Sequence, residues 1–386
     1  MDFRLSQEQE QLRDTARRFA QAELPKLARE LEEAAEPVPK AMVKRYAEMG
    51  FLGINLPEED GGLGMSHLDA VIVLEELAKI SPTVAFPIFE SCFGPILAIA
   101  HFAPEELRKR LIPQVVAGEK IVAVSMSEPE AGSAVTDLKT RARETAEGWT
   151  LSGQKRWCSG AGHAEGYLVY CRMSDAPGAK GIGALYVEKG MPGFSFGRPE
   201  QLMGFRGVPS ADMYFDDVKV PRTNTIVPAG GFKQLMEAFD LERCGNSTMS
   251  LAIAQSALDY VLDYAQNRKQ FGKAIVEFQA VQLRLAEMAM KVEASRLLIY
   301  QAVCNASAGL PSVKESSMAK CFANEIVREV SGSALQLMGG YGYSKEYPIE
   351  QKLRDAWGWG IAGGAVDIQK TNIAAALVGR RFDQRR

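Results

Sequence analysis

The sequence is poor in the residues that bind transition metals. It contains only three histidines, and its six cysteines lie far apart without a CxxC pair. Zinc sites need such ligands at short, regular spacings. We therefore expect no metal site, and we interpret the cysteines as mostly buried, reduced thiols.

A large excess of either charge is also absent. The 386 residues include 45 lysines and arginines and 48 aspartates and glutamates, which gives a net charge of −3. Because neither sign forms a long run, we expect no nucleic-acid surface. The first residues, MDFRLSQEQEQLRDTARRF, are charged throughout, and we find no apolar run near the roughly 20 residues of a membrane span. These absences predict a soluble, cytoplasmic protein.

The patterns that are present follow an α, β, α order. Helical spacing of apolar residues fills residues 1–119, short alternating runs fill residues 120–228, and long helical patterns return in residues 229–386. We predict an α+β protein with an N-terminal helical domain, a middle antiparallel β domain and a C-terminal four-helix bundle with these boundaries. The first helix should begin at a capping box formed by Ser6 and Gln9 and end before Pro25.

Four segments carry residues suited to binding a flat or anionic ligand. Residues 125–137 (SMSEPEAGSAVTD) place small residues after a strand, and residues 153–159 (GQKRWCS) end a strand with a tryptophan. Residues 268–282 (RKQFGKAIVEFQAVQ) contain a break between two helices, and residues 336–350 (QLMGGYGYSKEYPIE) form a glycine-rich turn. Taken alone, these segments are more typical of a surface loop, a core tryptophan or a helix connection than of a binding site.

A fifth segment, RDAWGWGIAGGAVDIQ, lies at residues 354–369, and together with the other four it indicates a protein family. In this order and over essentially the whole chain, the five segments resemble the acyl-CoA dehydrogenase family. The resemblance implies FAD, an acyl-CoA thioester substrate, an electron-transfer flavoprotein as acceptor and a homotetramer. It also implies the helical, β and four-helix-bundle domains of that family.

The resemblance assigns binding roles residue by residue. Ser127 matches a position that bonds the flavin ring edge, Trp157 one that packs on the isoalloxazine, and Arg268 one that reaches the FAD of a neighbouring subunit. The implied FAD contacts are Met126, Ser127, Ser133, Trp157, Ser159, Arg268, Gln270, Phe271, Gln279, Gln336, Gly339, Gly340, Ala365 and Asp367. The implied substrate contacts are Ser133, Asp240, Arg243, Gly363 and Gly364.

The chain departs from the family at the position of the usual catalytic base. Gly363 stands where the family has glutamate, and Ala362 and Ala365 stand where tyrosine and threonine are common. Ala134 and Gln351 also replace an aspartate and a basic residue. Because Ala-Gly is smaller than Tyr-Glu, we expect free space near the reacting carbons. This predicts a short branched, cyclic or otherwise bulky acyl group.

Two glutamates are candidates for the missing base. Glu242, in AFDLERCG, matches the position where the isovaleryl-CoA dehydrogenase branch keeps its base, although a solvent-facing Glu–Arg helix pair is the alternative. Glu90 lies in the apolar stretch TVAFPIFESCFG. It could deprotonate a remote carbon of a cyclic acyl group, pair with a substrate ammonium, or only form part of the pocket wall. The choice between Glu242 and Glu90 stays open.

The sequence therefore predicts an FAD-dependent acyl-CoA dehydrogenase, an oxidoreductase acting on CH–CH groups. The alternatives are an alicyclic acyl-CoA dehydrogenase that uses Glu90, and a reductase of the crotonobetainyl-CoA type, whose closing motif is similar. Two other classes are a flavin oxidase or monooxygenase and a non-catalytic relative that binds CoA.

Overall fold

The computed structural model describes residues 4–307 and 309–382 and confirms the predicted order of helices, sheet and helices. Six helices precede the sheet and bury an apolar core among themselves and against the C-terminal helices. They are α1 (Gln7–Ala34), α2 (Lys40–Glu48), α3 (His67–Ala78), α4 (Pro82–Cys92), α5 (Ile96–Phe102) and α6 (Glu105–Val116).

Helix α1 begins as predicted but ends later. The Ser6 hydroxyl accepts a hydrogen bond from the Gln9 amide at 3.2 Å, and the Gln9 side chain accepts one from the Ser6 amide at 3.0 Å. The helix then continues through Pro25 to Ala34, so the predicted end before Pro25 is wrong. A proline removes one main-chain donor from a helix. Burial of later residues on the inner face, such as Leu31, offsets that loss.

The middle of the chain forms one sheet in the order β6-β7-β3-β2-β4-β5-β8, with β1 paired to β4. Most neighbours are antiparallel, as predicted, whereas β1 and β2 run parallel to β4. The β2–β3 hairpin between β1 and β4 provides the connection that parallel neighbours need. The strands are β1 (Val122–Ser125), β2 (Arg141–Glu144), β3 (Gly148–Ser159), β4 (Gly166–Arg172), β5 (Ile182–Glu188), β6 (Phe194–Phe196), β7 (Ser210–Pro221) and β8 (Thr225–Val227).

The C-terminal part is helical again. Helices α7, α8, α9 and α13 pack side by side, as expected of a four-helix bundle, and a two-residue hairpin connects α7 to α8. The exact domain boundaries stay a prediction. The elements are α7 (Phe232–Asn267), β9 (Lys269–Gln270), β10 (Lys273–Ala274), α8 (Gln279–Ala306), α9 (Val313–Met338), α10 (Gly340–Tyr343), α11 (Ile349–Asp355), α12 (Gly358–Ile361) and α13 (Val366–Val378).

One apolar stretch contradicts the expectation that no run approaches the length of a membrane span. Residues Pro82–Phe102 have a mean hydropathy of 1.6 over a membrane-length window, and all of that window is buried inside the protein. The stretch comprises helices α4 and α5 with a break between them. Its apolar composition is therefore explained by packing in the core.

A loop of the β domain is fixed to the C-terminal part through the RDA segment. The Phe205 amide donates to the Asp355 carboxylate at 2.7 Å, and Arg354 donates to the Met203 carbonyl at 2.9 Å. The Phe205 ring lies directly against Gly358, where a Cβ atom would overlap it. The two parts can approach this closely only because residue 358 lacks a side chain.

Substitution Gly358→Ala should destabilise the protein by about 1–3 kcal/mol, the usual range for overpacking a filled site. The matched control is Gly332→Ala within α9, where an added Cβ would meet no atom within 4 Å. That change should stabilise the protein by about 0.5–1 kcal/mol, because alanine is the better helix former. Urea unfolding of both variants measures the difference, and equal effects would contradict the proposed contact.

Candidate active site

Glu242 lies on the inner face of α7 and is only 6% exposed. Within the described part of the chain, its carboxylate has no hydrogen-bond partner. Burial raises the pKa of Glu242 to about 8, although the charges of Lys320 and Arg243 act against this rise. The alternative of a solvent-facing Glu–Arg pair is therefore wrong.

Glu90 lies on α4, which crosses α7 at Gly245. A Cβ atom at Gly245 would lie 2.5 Å from Phe93 Cβ, so glycine permits this crossing. Glu90 is 4% exposed, and its Oε2 atom has no hydrogen-bond partner among the described residues. Burial, and then the charge of Glu242, raises the pKa of Glu90 well above its ordinary value. The structure thus brings the two candidate bases within electrostatic range of each other.

The position of the family's usual base is not empty space. Gly363 and Gly364 have φ values of 64° and 85°, a region that favours glycine. A Cβ atom at Gly363 would lie 2.9 Å from both Lys320 Nζ and Asn246 Nδ2. The expected opening at residue 363 is therefore wrong, because two polar side chains from α9 and α7 fill it.

Asp240 and Arg243, two of the implied substrate contacts, form a buried ion pair on α7. The Ser316 hydroxyl donates to Asp240 at 2.8 Å, which adds a second partner for the carboxylate. Arg243 also lies over the Phe239 ring, with 5.4 Å from Cζ to the ring centroid, and its Nε has no partner within the described ranges. The pair can therefore still donate to a ligand such as the CoA moiety.

The loop after β1, predicted to contact the flavin, is held by a buried ion pair. Lys155 is fully buried, donates to the Met126 carbonyl at 2.9 Å and pairs with Glu128 at 2.9 Å. The Arg156 amide donates to the Ser127 carbonyl at 2.9 Å, which ties the loop to β3. The main chain of Met126 and Ser127 is consequently fixed next to β3, the strand that carries Trp157.

Trp157 lies on the surface because β3 is distorted at this position. The register between β3 and β7 shifts between Lys155 and Cys158, and Trp157 has a φ of 60°. Bulges of this kind redirect a side chain and are common next to active sites. As a result Trp157 is 53% exposed, with the Arg156 guanidinium 4.3 Å from the ring centroid. Ser159 is half-buried on the same strand, whereas Ser133 lies exposed farther along the loop.

A second group of predicted FAD residues lines one cavity of about 570 Å³ between the ends of α7 and α9. At the edge of this cavity, the Arg268 guanidinium lies 5.2 Å from the Tyr341 ring centroid. Phe271, which is 94% exposed, and Gln279, at the start of α8, lie outside the lining of this cavity. The predicted residues that line it are Arg268, Gln270, Gln336, Gly339 and Gly340.

The last predicted FAD contacts lie where the closing segment enters α13. Ala365 is the residue before the helix, and exposed Asp367 lies in its first turn. Gln369 anchors this turn, because it accepts from Ser317 at 2.9 Å and donates to the Gly364 carbonyl at 3.1 Å. The closing segment is therefore fixed to α9 on both sides of the glycine pair.

The sequence prediction missed Lys320, Asn246 and Lys155, all of which are fully buried. One signal for Lys320 exists: Ser316, Lys320 and Asn324 recur at intervals of four on α9, which places them on one helix face. A polar stripe inside an otherwise apolar helix indicates a buried polar network.

With this geometry described, the family follows from comparison with known proteins. Profiles described as the N-terminal, middle and C-terminal domains of acyl-CoA dehydrogenase match residues 6–119, 123–218 and 229–378. The chain belongs to the acyl-CoA dehydrogenase family. It is accordingly an FAD-dependent oxidoreductase acting on acyl-CoA thioesters.

Individual relatives have different names. The chain is 38% identical to a 3-sulfinopropanoyl-CoA desulfinase of Paraburkholderia xenovorans, over 100% of this chain and 99% of the relative. It is also 38% identical to an acryloyl-CoA reductase (NADH) of Anaerotignum propionicum, over 98% and 97%. The solved butyryl-CoA dehydrogenase of Megasphaera elsdenii superposes with a TM-score of 0.94 at 32% identity, over 98% and 100%.

The residues present fit FAD. The exposed Trp157 indole offers a flat face for a ring system, and the cavity at Arg268 offers a cation for a phosphate. At its edge, Gly339 and Gly340 leave open space where a Cβ would lie, so main-chain groups can approach a ligand. Within residues 4–307 and 309–382, no cluster of histidine, cysteine, aspartate and glutamate suits a metal ion.

The burial of Glu242 should make stability depend on pH. A folded-state pKa of about 8, above the ordinary value of about 4.3, means that the folded protein binds an extra proton between these values. The unfolded protein releases this proton above about pH 4.3, so the free energy of unfolding falls as the pH rises from there towards 8. Substitution Glu242→Gln should therefore leave Tm near the wild-type value at pH 5 and raise it by a few degrees at pH 8.

Thermal unfolding of the holoenzyme across this pH range measures the effect. The matched control is Glu237→Gln on the same helix, where the side chain is 44% exposed. A Tm difference between Glu242→Gln and wild type that is constant from pH 5 to pH 9 would show that Glu242 titrates normally.

Proposed function

We propose that this enzyme is an acyl-CoA dehydrogenase whose base is Glu242, acting on a short acyl group that carries extra bulk. In this respect it resembles the isovaleryl-CoA dehydrogenase branch and crotonobetainyl-CoA reductase. One observation carries the proposal. A buried carboxylate that has no hydrogen-bond partner among the described residues lies on α7, while glycine stands at the usual base position.

Proton abstraction next to a thioester requires an ionised carboxylate with a free lone pair. The Glu242 carboxylate meets the second condition, because nothing in the described chain donates to it. Its raised pKa of about 8 makes the anion a stronger base than an ordinary glutamate.

The other residues of the site bind and orient the ligands. Asp240 and Arg243 are the proposed contacts to the CoA moiety, and the face of Trp157 is the proposed support for the isoalloxazine ring. FAD, when bound, supplies the hydride acceptor. The Lys155–Glu128 pair fixes the main chain of the loop that carries Met126 and Ser127, so these residues need no rearrangement on binding.

The acyl group is proposed to be short, with its extra bulk directed towards Ala362. Residue 362 is exposed, whereas the volume at Gly363 is filled by Lys320 and Asn246. The ring centroids of Trp359 and of Phe89, the residue before Glu90 on α4, lie 5.0 Å apart. A branched or cyclic acyl group suits this shape better than a long straight chain.

Glutamine at the base position separates this proposal from the non-catalytic alternative. Substitution Glu242→Gln should retain bound FAD and lower the rate of anaerobic flavin bleaching by acyl-CoA at least about 1,000-fold, because no other group takes the α-proton. Stopped-flow absorbance of the flavin measures the rate. Glu237→Gln on the same helix is the control and should react as wild type. Bleaching at the wild-type rate in Glu242→Gln would refute the assignment.

Glu90 has a different predicted role. Burial, and then the charge of Glu242, raises its pKa well above the ordinary value, so Glu90 ionises less readily than an ordinary glutamate, and we propose that it forms part of the pocket wall. We expect Glu90→Gln to bleach with branched substrates at nearly the wild-type rate. If Glu90 instead deprotonates a remote carbon, the variant should lose bleaching by cyclohexane-type substrates selectively.

A substrate panel measures this difference directly. Straight, branched, cyclohexane-type and amino-substituted acyl-CoA thioesters should be titrated anaerobically against wild type, Glu90→Gln and Glu242→Gln. The thioester that bleaches the wild-type flavin fastest identifies the acyl class. A selective loss of amino-substituted substrates in Glu90→Gln would instead indicate pairing with a substrate ammonium.

The acceptor is proposed to be an electron-transfer flavoprotein, the enzyme a homotetramer and its location the cytoplasm. The six cysteines are all unpaired, as expected in a reducing compartment, and five of them are buried, as the sequence predicts. A dehydrogenase should require an added acceptor during turnover. Rapid oxygen consumption with substrate would favour the oxidase or monooxygenase alternative.

A further inference from the structure

The Lys320 amino group is fully buried, and it is surrounded by three oxygen atoms. It donates to Asn246 Oδ1 at 2.7 Å, to the Ala362 carbonyl at 2.6 Å and to the Gly363 carbonyl at 2.9 Å. An ammonium has three N–H donors, whereas a neutral amine would direct its lone pair at one of these oxygens. Burial, and then the charge of Arg243, lowers the pKa of Lys320 to about 7, whereas the charge of Glu242 and the three acceptors favour the charged form.

Lys320 differs from the other cation near Glu242 in having no counter-charge of its own. Arg243 is paired with Asp240. Within the described residues, Lys320 contacts no carboxylate within 4 Å, and its three partners are neutral. Its positive charge therefore acts on Glu242 without local compensation.

The surroundings of Glu242 contain few other charges. Four elements present titratable or charged groups to it: α4, β4, α7 and α9. These groups are Glu90 on α4, Tyr170 on β4, Arg243 on α7 and Lys320 on α9. Glu90 opposes the ionisation of Glu242, and the Tyr170 hydroxyl is neutral because burial raises its pKa far above the ordinary value. Lys320 is thus the group best placed to favour the anion.

Asn246 provides a hydrogen-bond donor on the same face of α7 as Glu242. Because Lys320 donates to its oxygen, the amide nitrogen Nδ2 must point the other way. This nitrogen is fully buried and has no acceptor among the described residues. Asn246 lies one helical turn after Glu242 on α7, so both side chains project from the same face.

We propose that Lys320 is the positioning residue of the proton-transfer site: it fixes the closing segment through two main-chain carbonyls and, oriented with Asn246, supplies the charge that keeps Glu242 ionised for catalysis. This inference rests on the proposed role of Glu242 as base. It also explains the glycine at position 363, since a side chain there would displace Lys320.

Substitution Lys320→Met tests the charge. Removing an uncompensated cation near a buried carboxylate should raise the pH midpoint of anaerobic flavin reduction by about one unit, which lowers the rate about tenfold at pH 7 and leaves it nearly unchanged at high pH. A second variant, Asn246→Asp, keeps the lysine and its contacts but neutralises its charge. It should move the midpoint in the same direction.

The matched control is Lys352→Met. Lys352 is also a buried lysine that donates to neutral oxygens, the Ser256 hydroxyl at 2.8 Å and the Lys79 carbonyl at 3.4 Å, but it lies on α11 and does not act on Glu242. This variant should be destabilised without a change in the pH midpoint. Bound FAD and Tm of every variant are measured in parallel.

A readout without substrate makes the result independent of turnover. Substitution Glu242→Gln should abolish one part of the pH dependence of Tm, and that part reports the ionisation of Glu242. In Lys320→Met, the pH midpoint of this part should move upwards. A uniform loss of rate at all pH values, with both midpoints unchanged, would overturn the role of Lys320 and leave Glu242 as base. Undiminished bleaching in Glu242→Gln would instead overturn the proposed function itself.

Discussion

The constraint on which the rest of the site depends is the burial of the Glu242 carboxylate, to which no group in the described part of the chain donates a hydrogen bond. An unpaired carboxylate inside a protein costs several kcal/mol when ionised, so it remains protonated unless a cation lies near it. A base that remains protonated cannot accept a proton. The protein therefore needs a positive charge close to Glu242 that the carboxylate does not contact directly, since a direct ion pair would lower its basicity.

Lys320 meets this requirement because the main chain, and not a second carboxylate, satisfies its hydrogen bonds. The Ala362 and Gly363 carbonyls can point at the amine only if the chain turns through a positive φ at residue 363, where glycine is favoured. A glutamate at residue 363 and the present position of Lys320 are thus incompatible on this backbone. The glycine in the closing segment is better explained as part of the site than as the loss of one.

Much of the fold follows from periodicity, since the change from helical to alternating spacing predicts the α, β, α order. Pro25 and the stretch Pro82–Phe102 were mispredicted because local sequence does not show that a helix is buried. The same limit applies to the site. Glu242 and Trp157 were found through motifs, whereas Lys320 was missed, because a lysine in a sequence indicates a surface residue unless its burial is known. The volume beside Gly363 depends on which neighbour fills it, and only the tertiary structure shows that.

The two buried glutamates differ in the charges that act on them, and this difference supports their proposed roles. With one uncompensated cation beside them, Glu242 and Glu90 are not both ionised at neutral pH, because two carboxylates in electrostatic contact oppose each other. Lys320 acts on Glu242, while Glu242 itself acts against Glu90. Of the two carboxylates, Glu242 therefore ionises more readily, and it is the proposed base. Relatives that are named for a desulfinase and for a reductase have the same identity to this chain, so overall similarity does not determine the reaction. We propose that the placement of a few buried charges does, and in this enzyme that placement supports the proposed removal of a proton by Glu242.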